Sequence, residues 1–121
     1  MTINATKTKE IWIDFHKTKV NIPQLHIGNN DIEIASNGKL LGVIINKDLK
    51  WEKHVEHLYA KASKRLHYLR VLRRCGLKQV QLRQVYITLI RPVLEYACPV
   101  WSTSLSIESS TLLETMQKKS L

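Results

Sequence analysis

The spacing of apolar residues changes once along the chain, between residues 46 and 52. Before that point apolar and polar residues alternate, as at Ile11, Ile13 and Phe15, and this period of two is typical of half-buried strands. After that point apolar residues recur every three or four positions and form one stripe, made of Val55, Leu58, Tyr59, Ala62, Leu66 and Leu69. The two periods predict an α+β fold, with a small antiparallel sheet in residues 1–46 and a helical region in residues 47–121.

Glycines and prolines divide these two regions further. The sequence predicts a hairpin around Gly28, because glycine tolerates a positive φ, and a bulge or close backbone approach at Gly42. Gly76 is expected to end the first helix, Pro92 to bend the second and Pro99 to mark its end. The predicted strands lie at residues 10–15, 24–27, 31–34 and 39–45. The predicted helices, two long and one short, lie at residues 52–74, about 80–101 and 107–119.

Positive charge is concentrated in residues 47–91, which hold twelve Lys or Arg and three acidic residues. This segment carries the whole formal excess of +9, because the rest of the chain holds seven basic and seven acidic residues. A clustered excess of this kind favours a polyanionic partner, most simply nucleic acid. The alternative interpretation is a solvated helix surface with a positive excess.

The acidic residues are too scattered to predict a catalytic metal centre. Nucleotidyl transfer uses two metal ions held by close carboxylates, and the chain has no adjacent pair of aspartates. Asp31 and Glu33 share one face of a predicted strand, but a solvated hairpin face is the favoured interpretation. His54 and His57 have a spacing that suits two metal ligands, yet no third ligand accompanies them. We therefore predict no catalytic residue, no metal site and no cofactor in this chain.

Other features narrow the class of protein. No apolar run approaches the roughly 18 residues of a membrane helix, so no membrane partner is expected. The first ten residues are polar and do not resemble a secretory signal, so we expect an intracellular protein of the nucleus or the cytoplasm. In such a compartment Cys75 and Cys98 are expected to be reduced thiols.

Several motifs occur in a specific order between residues 4 and 117. Lys39-Leu40-Leu41-Gly42-Val43 is followed by Leu49, Trp51 and His54 in a Leu-x-Trp-x-x-His pattern. The string Arg91-Pro-Val-Leu-Glu-Tyr-Ala-Cys-Pro-Val-Trp101 then follows. Together these motifs resemble the reverse transcriptases (RNA-directed DNA polymerases) of jockey-like and CR-type non-LTR retrotransposons. Leu40 departs from the pattern, because the family usually has Tyr before Leu-Gly-Val.

The resemblance implies a fragment of such a polymerase. Residues 1–46 resemble the end of the palm, with a primer-grip-like strand turn at Leu41, Gly42 and Val43, and residues 47–121 resemble the helical thumb. Lys7 matches a position near the incoming nucleotide in the family. The fingers and most of the palm, with the aspartates that bind Mg²⁺ in the full-length family, are expected upstream of Met1. The missing portion is thus an expected partner, and we expect this chain alone to be inactive as a polymerase.

The resemblance also gives the central charge block a role, since a thumb lies along the template–primer duplex and holds its phosphates. The expected partner is an RNA–DNA or DNA duplex. Tyr68 lies beside basic positions and is a candidate for stacking on bases. The expected nucleic-acid-binding residues are Lys61, Lys64, Arg65, Arg70, Arg74 and Tyr68. Two alternatives stay open, a free-standing basic nucleic-acid-binding module and a non-functional relic of a mobile element.

Overall fold

A computed structural model describes residues 2–120, and its secondary structure changes character between Lys50 and Trp51. The described residues up to Lys50 form one compact unit of short strands, and those from Trp51 form a second unit of helices. The α+β class is therefore confirmed. The boundary lies slightly C-terminal to the one at residue 46 that the sequence predicts.

Strand pairing in the first unit is confined to three two-stranded ladders. Strands β2 (His26–Ile27) and β3 (Asn30–Asp31) pair antiparallel around Gly28, whose φ is +62°, so the predicted hairpin is confirmed in a shorter form. Strands β1 (Lys9–Glu10) and β4 (Glu33–Ile34) pair in parallel, in contrast to the antiparallel arrangement expected throughout.

The predicted strand at residues 10–15 extends no further than Glu10. Ile13 and Phe15 keep 45% and 71% of their surface exposed, so their alternation does not mark a buried face. Local side-chain bonds replace a ladder here, because the Trp12 indole donates to Glu10 and the His16 amide donates to Asp14 Oδ1 at 2.8 Å.

The run predicted as a single strand at residues 39–45 is a hairpin. Strand β5 (Asn37–Leu40) pairs antiparallel with β6 (Val43–Asn46), and Leu41 and Gly42 form the turn between them. Both turn residues have a positive φ, +48° and +84°, the pattern of a type I′ turn. Gly42 is therefore a turn residue and not a bulge.

Helix α1 (Glu52–Arg74) is the long helix predicted at 52–74, and it ends as the sequence indicates. Gly76 follows with a φ of +91°. Its amide donates to Arg73 O at 3.1 Å, and the Leu77 amide donates to Leu72 O at 3.4 Å. These two bonds form a Schellman motif, which satisfies carbonyls that the helix end leaves without partners.

The second long helix is made of three segments, α2 (Gln79–Val85), a π-helical segment (Tyr86–Ile90) and α3 (Arg91–Glu95). The wider π-helical turn directly precedes Pro92, which has no amide to donate to the preceding turn. This helix ends at Glu95 and not at Trp101, because Ala97 adopts a left-handed φ of +52°. Pro99 accordingly lies in the first turn of the next helix.

The remaining helices are α4 (Cys98–Trp101), a short 3₁₀ segment (Ser102–Ser104) and α5 (Ile107–Ser120). Helix α1 packs against α5 and against the π-helical segment and α3, with its predicted apolar stripe turned inward. Within residues 2–120, no helix is both long and apolar enough to cross a membrane.

Candidate nucleic-acid interface

Helix α1 brings Lys61, Lys64 and Tyr68 together on one exposed stripe. Residues three or four apart lie on the same face of a helix, so these side chains are consecutive neighbours. Lys61 and Lys64 are about 4.5 Å apart along the helix axis, at about 1.5 Å per residue. The only acids of α1, Glu52 and Glu56, lie in its first two turns, N-terminal to the stripe.

Tyr68 is 61% exposed, which is unusual for an aromatic side chain on a helix that packs against α5 and against all three segments of the second helix. Its ring contacts only that of His67 among the aromatic pairs within residues 2–120, at 6.2 Å between centroids and 60° between planes. Tyr59, by contrast, is half-buried and accepts a hydrogen bond from Lys119 at 3.2 Å. Of these two tyrosines, Tyr68 is therefore the one whose ring is exposed to solvent.

Arg65 has a structural contact that its position in the sequence does not reveal. It is half-buried, and its Nη1 donates to the Leu89 carbonyl at 2.6 Å. Leu89 belongs to the π-helical segment, so this bond joins α1 to the second helix. Arg65 thus differs from its neighbours Lys61 and Lys64, which are both exposed on the outer face of α1.

Arg70 and Arg74 do not belong to the stripe of Lys61, Lys64 and Tyr68. Arg70 lines a cavity between α1 and α2, together with Arg73 and Arg83. Arg74 is exposed in the last turn of α1, where a cation complements the helix dipole. Sequence reasoning missed Arg73 and Arg83 as members of a cluster. The available signal was Arg73 itself, a cation on the apolar stripe of α1.

The predicted residues of the first unit lie in its turns or, for Val43, at the start of the strand that follows one. Lys7 is exposed in a turn that its amide closes by donating to Asn4 O at 3.2 Å. Leu41 is 83% exposed at the tip of the β5–β6 hairpin, whereas Val43 is buried at 7%. The primer-grip-like residues therefore form a hairpin tip with one outward and one inward side chain.

The Leu-x-Trp-x-x-His residues have a packing role in the second unit. Trp51 immediately precedes α1, and the fully buried His54 lies in the first turn of that helix. Trp101 of α4 lies against the same imidazole. The His54 ring meets the rings of Trp51 and Trp101 edge-on, with centroids 6.4 Å and 5.4 Å away. Burial lowers the pKa of His54 below the ordinary 6.5, and the neighbouring His57 lowers that pKa further. Both effects favour the neutral form of the His54 imidazole.

Charge along the helical unit is uneven. Between Glu56 and Glu95 the chain has nine Lys or Arg and no acidic residue. The second unit as a whole holds twelve basic residues and five acidic ones, a net charge of +7. A net charge of this size attracts polyanions over about one Debye length, roughly 8–10 Å near physiological salt.

The carboxylates that could hold a cation have other partners. Asp31 pairs with His26, and Glu33 Oε2 lies 3.9 Å from Lys9 Nζ. Across residues 2–120 no group of three or more His, Cys, Asp or Glu side chains is arranged to bind a metal ion.

Comparisons of the chain with protein-family models, with curated proteins and with solved structures gave no match.

Proposed function

We propose that this chain is a fragment of a retrotransposon reverse transcriptase that holds template–primer nucleic acid without a catalytic centre of its own. The observation that carries the proposal is the exposed stripe of Lys61, Lys64 and Tyr68 on α1. Two ammonium groups and an aromatic ring on one acid-free face suit contacts to phosphates and to an exposed base. The order of the sequence motifs supports the proposed family, and the exposed stripe supports the proposed contact surface.

The proposed contacts are independent of base sequence. Lysine ammonium groups act on phosphates as point charges, so they hold a duplex without reading its base edges. An RNA–DNA hybrid and a DNA duplex should therefore bind with similar affinity, and binding should weaken as salt rises because counterions are released.

The test is a salt titration of duplex binding, followed by fluorescence anisotropy, for the full chain and for a Lys61→Gln/Lys64→Gln variant. If both lysines contact phosphates, the slope of log affinity against log salt should fall by about 1.8, at about 0.9 per contact. Lys17→Gln/Lys19→Gln is the matched control, because it removes two exposed charges from the other unit.

Equal loss of slope in both variants would show that net charge alone drives binding. Affinity that depends strongly on sequence and little on salt would exclude the proposed mode. A Tyr68→Ala change should weaken single-stranded more than duplex binding, since a stacked base contributes about 1–3 kcal/mol.

A further inference from the structure

A cavity of about 590 Å³ lies between the C-terminal half of α1, the second helix and the end of α5. Its floor is aliphatic, because Leu66, Leu69 and Leu82 are buried beneath it. Tyr86 and the 38%-exposed Ile87 of the π-helical segment line one side. The volume lies within the roughly 300–1,000 Å³ of binding pockets.

All charged side chains that line this cavity within residues 2–120 are cations. None of these lining residues is acidic, and five are basic: Arg70, Arg73, Arg83, Arg91 and Lys119. Arg91 is partly neutralised, since its Nε donates to Glu95 Oε1 at 3.0 Å. The guanidinium groups of Arg70, Arg73 and Arg83 make no salt bridge with any residue from 2 to 120.

Arg70, Arg73 and Arg83 are all exposed, so their guanidinium groups are accessible to a ligand at the apolar cavity that they line. Arginine also forms paired hydrogen bonds with planar carboxylates, which makes it suited to an acidic ligand.

The shape and chemistry of the cavity select among anionic ligands. A nucleobase needs aromatic faces for stacking, and Tyr86 is the one aromatic residue among the lining residues. A duplex is convex and presents phosphates, which leaves an aliphatic floor uncovered. A second copy of this chain carries a net +9, so its overall charge does not complement the cationic rim. An amphipathic helix with an aliphatic stripe and flanking carboxylates matches both the floor and the rim.

We propose that this cavity is a docking site for an acidic amphipathic helix of a partner protein. Aliphatic side chains of the partner enter above Leu66, Leu69 and Leu82, and its Asp or Glu carboxylates accept hydrogen bonds from the rim arginines. The site is separate from the stripe of Lys61, Lys64 and Tyr68, none of which lines the cavity.

The test uses a fluorescein-labelled peptide of roughly 18 residues, about five helical turns, with Leu at helical spacing and flanking Glu. A scrambled peptide of the same composition has the same charge without the stripe. Binding to the full chain is measured by anisotropy for the natural sequence, for Arg73→Gln/Arg83→Gln and for Lys61→Gln/Lys64→Gln. The two double variants lose the same charge from exposed positions, and circular dichroism checks that each keeps its helices.

Arg73→Gln/Arg83→Gln is expected to weaken binding of the ordered peptide at least about tenfold, or about 1.4 kcal/mol. Lys61→Gln/Lys64→Gln should weaken it by less than about twofold, because neither lysine lines the cavity and exposed charges are screened by salt. Ile87→Ser, which removes an exposed apolar contact at the cavity, should weaken the peptide but leave duplex binding unchanged.

Several results would overturn the docking site: no binding of the ordered peptide, equal binding of the scrambled peptide, or equal effects of the two double variants. An Arg73→Gln/Arg83→Gln effect on a single-stranded oligonucleotide or on phosphatidylserine vesicles as large as that on the peptide would assign the cavity to nucleic acid or lipid instead. Peptide binding without salt-dependent duplex binding would refute the proposed function and leave the docking site intact, and the reverse result would refute the docking site alone.

Discussion

Acidification should destabilise the helical unit through one residue, His54. Its imidazole is 0% exposed and lies between the edges of Trp51 and Trp101. Protonation places a charge where water does not reach it and where His57 adds a second positive group, and both effects lower the pKa of His54. In the unfolded chain the same imidazole titrates near 6.5.

The direction of the effect follows from proton binding. Below pH 6.5 the unfolded chain binds a proton at His54 that the folded chain does not, so the free energy of unfolding falls as pH falls. The loss reaches at most about 1.4 kcal/mol per pH unit and stops once the pH passes the lowered pKa of the folded state. One pH unit therefore removes a sizeable part of a stability that is typically about 5–15 kcal/mol.

The assay is urea unfolding followed by tryptophan fluorescence from about pH 7.5 to about pH 5, a range that brackets histidine titration. A Trp12→Phe background leaves Trp51 and Trp101 as reporters of the helical unit. His54→Gln should lower stability at the upper pH because packing is lost, and the difference from the natural sequence should narrow on acidification. A difference that stays constant over the whole range would refute the reasoning, because it would mean that His54 has the same pKa in both states.

Four further outcomes are expected. Arg65→Met should lower the unfolding free energy by about 1.5 kcal/mol, because the charge-assisted bond to Leu89 O is lost, and Arg65→Lys is the control. Unchanged stability together with weaker duplex binding would assign Arg65 to phosphate contact instead. Leu41→Asn should raise the melting temperature, because asparagine adopts a positive φ at about 1 kcal/mol lower cost than leucine; a lower melting temperature would contradict that account of the turn. Backbone amides of residues 52–95 should be better protected from hydrogen exchange than those of residues 2–50, because Ile32 and Val43 are the buried apolar side chains in that described part. Equal protection would show that the first unit is stable by itself. Primer extension with Mg²⁺ and nucleotides should not exceed a heat-inactivated control, since paired carboxylates are absent from the sequence.

The sequence alone determined the features that depend on neighbouring residues. The spacing of apolar residues fixed the inward face of α1, since its angular period is a property of every α-helix. Gly76 marked the end of that helix because few other residues adopt its positive φ without strain. The order of charges along the chain likewise showed, without any structure, that positive charge accumulates between Glu56 and Glu95.

Tertiary structure decided which neighbour covers each position. Lys61 and Arg65 are one helical turn apart, yet only Arg65 meets the second helix, because helix packing depends on residues distant in sequence. The sequence could not show for the same reason that Arg73 belongs to a cluster, because the cluster also contains Arg83 of α2. Leu41 disfavours the backbone conformation of its turn, so pairing of β5 with β6 must impose that conformation. The local sequence pattern determined the face of the helix or strand on which each side chain lies. Long-range packing determined which residues that side chain contacts.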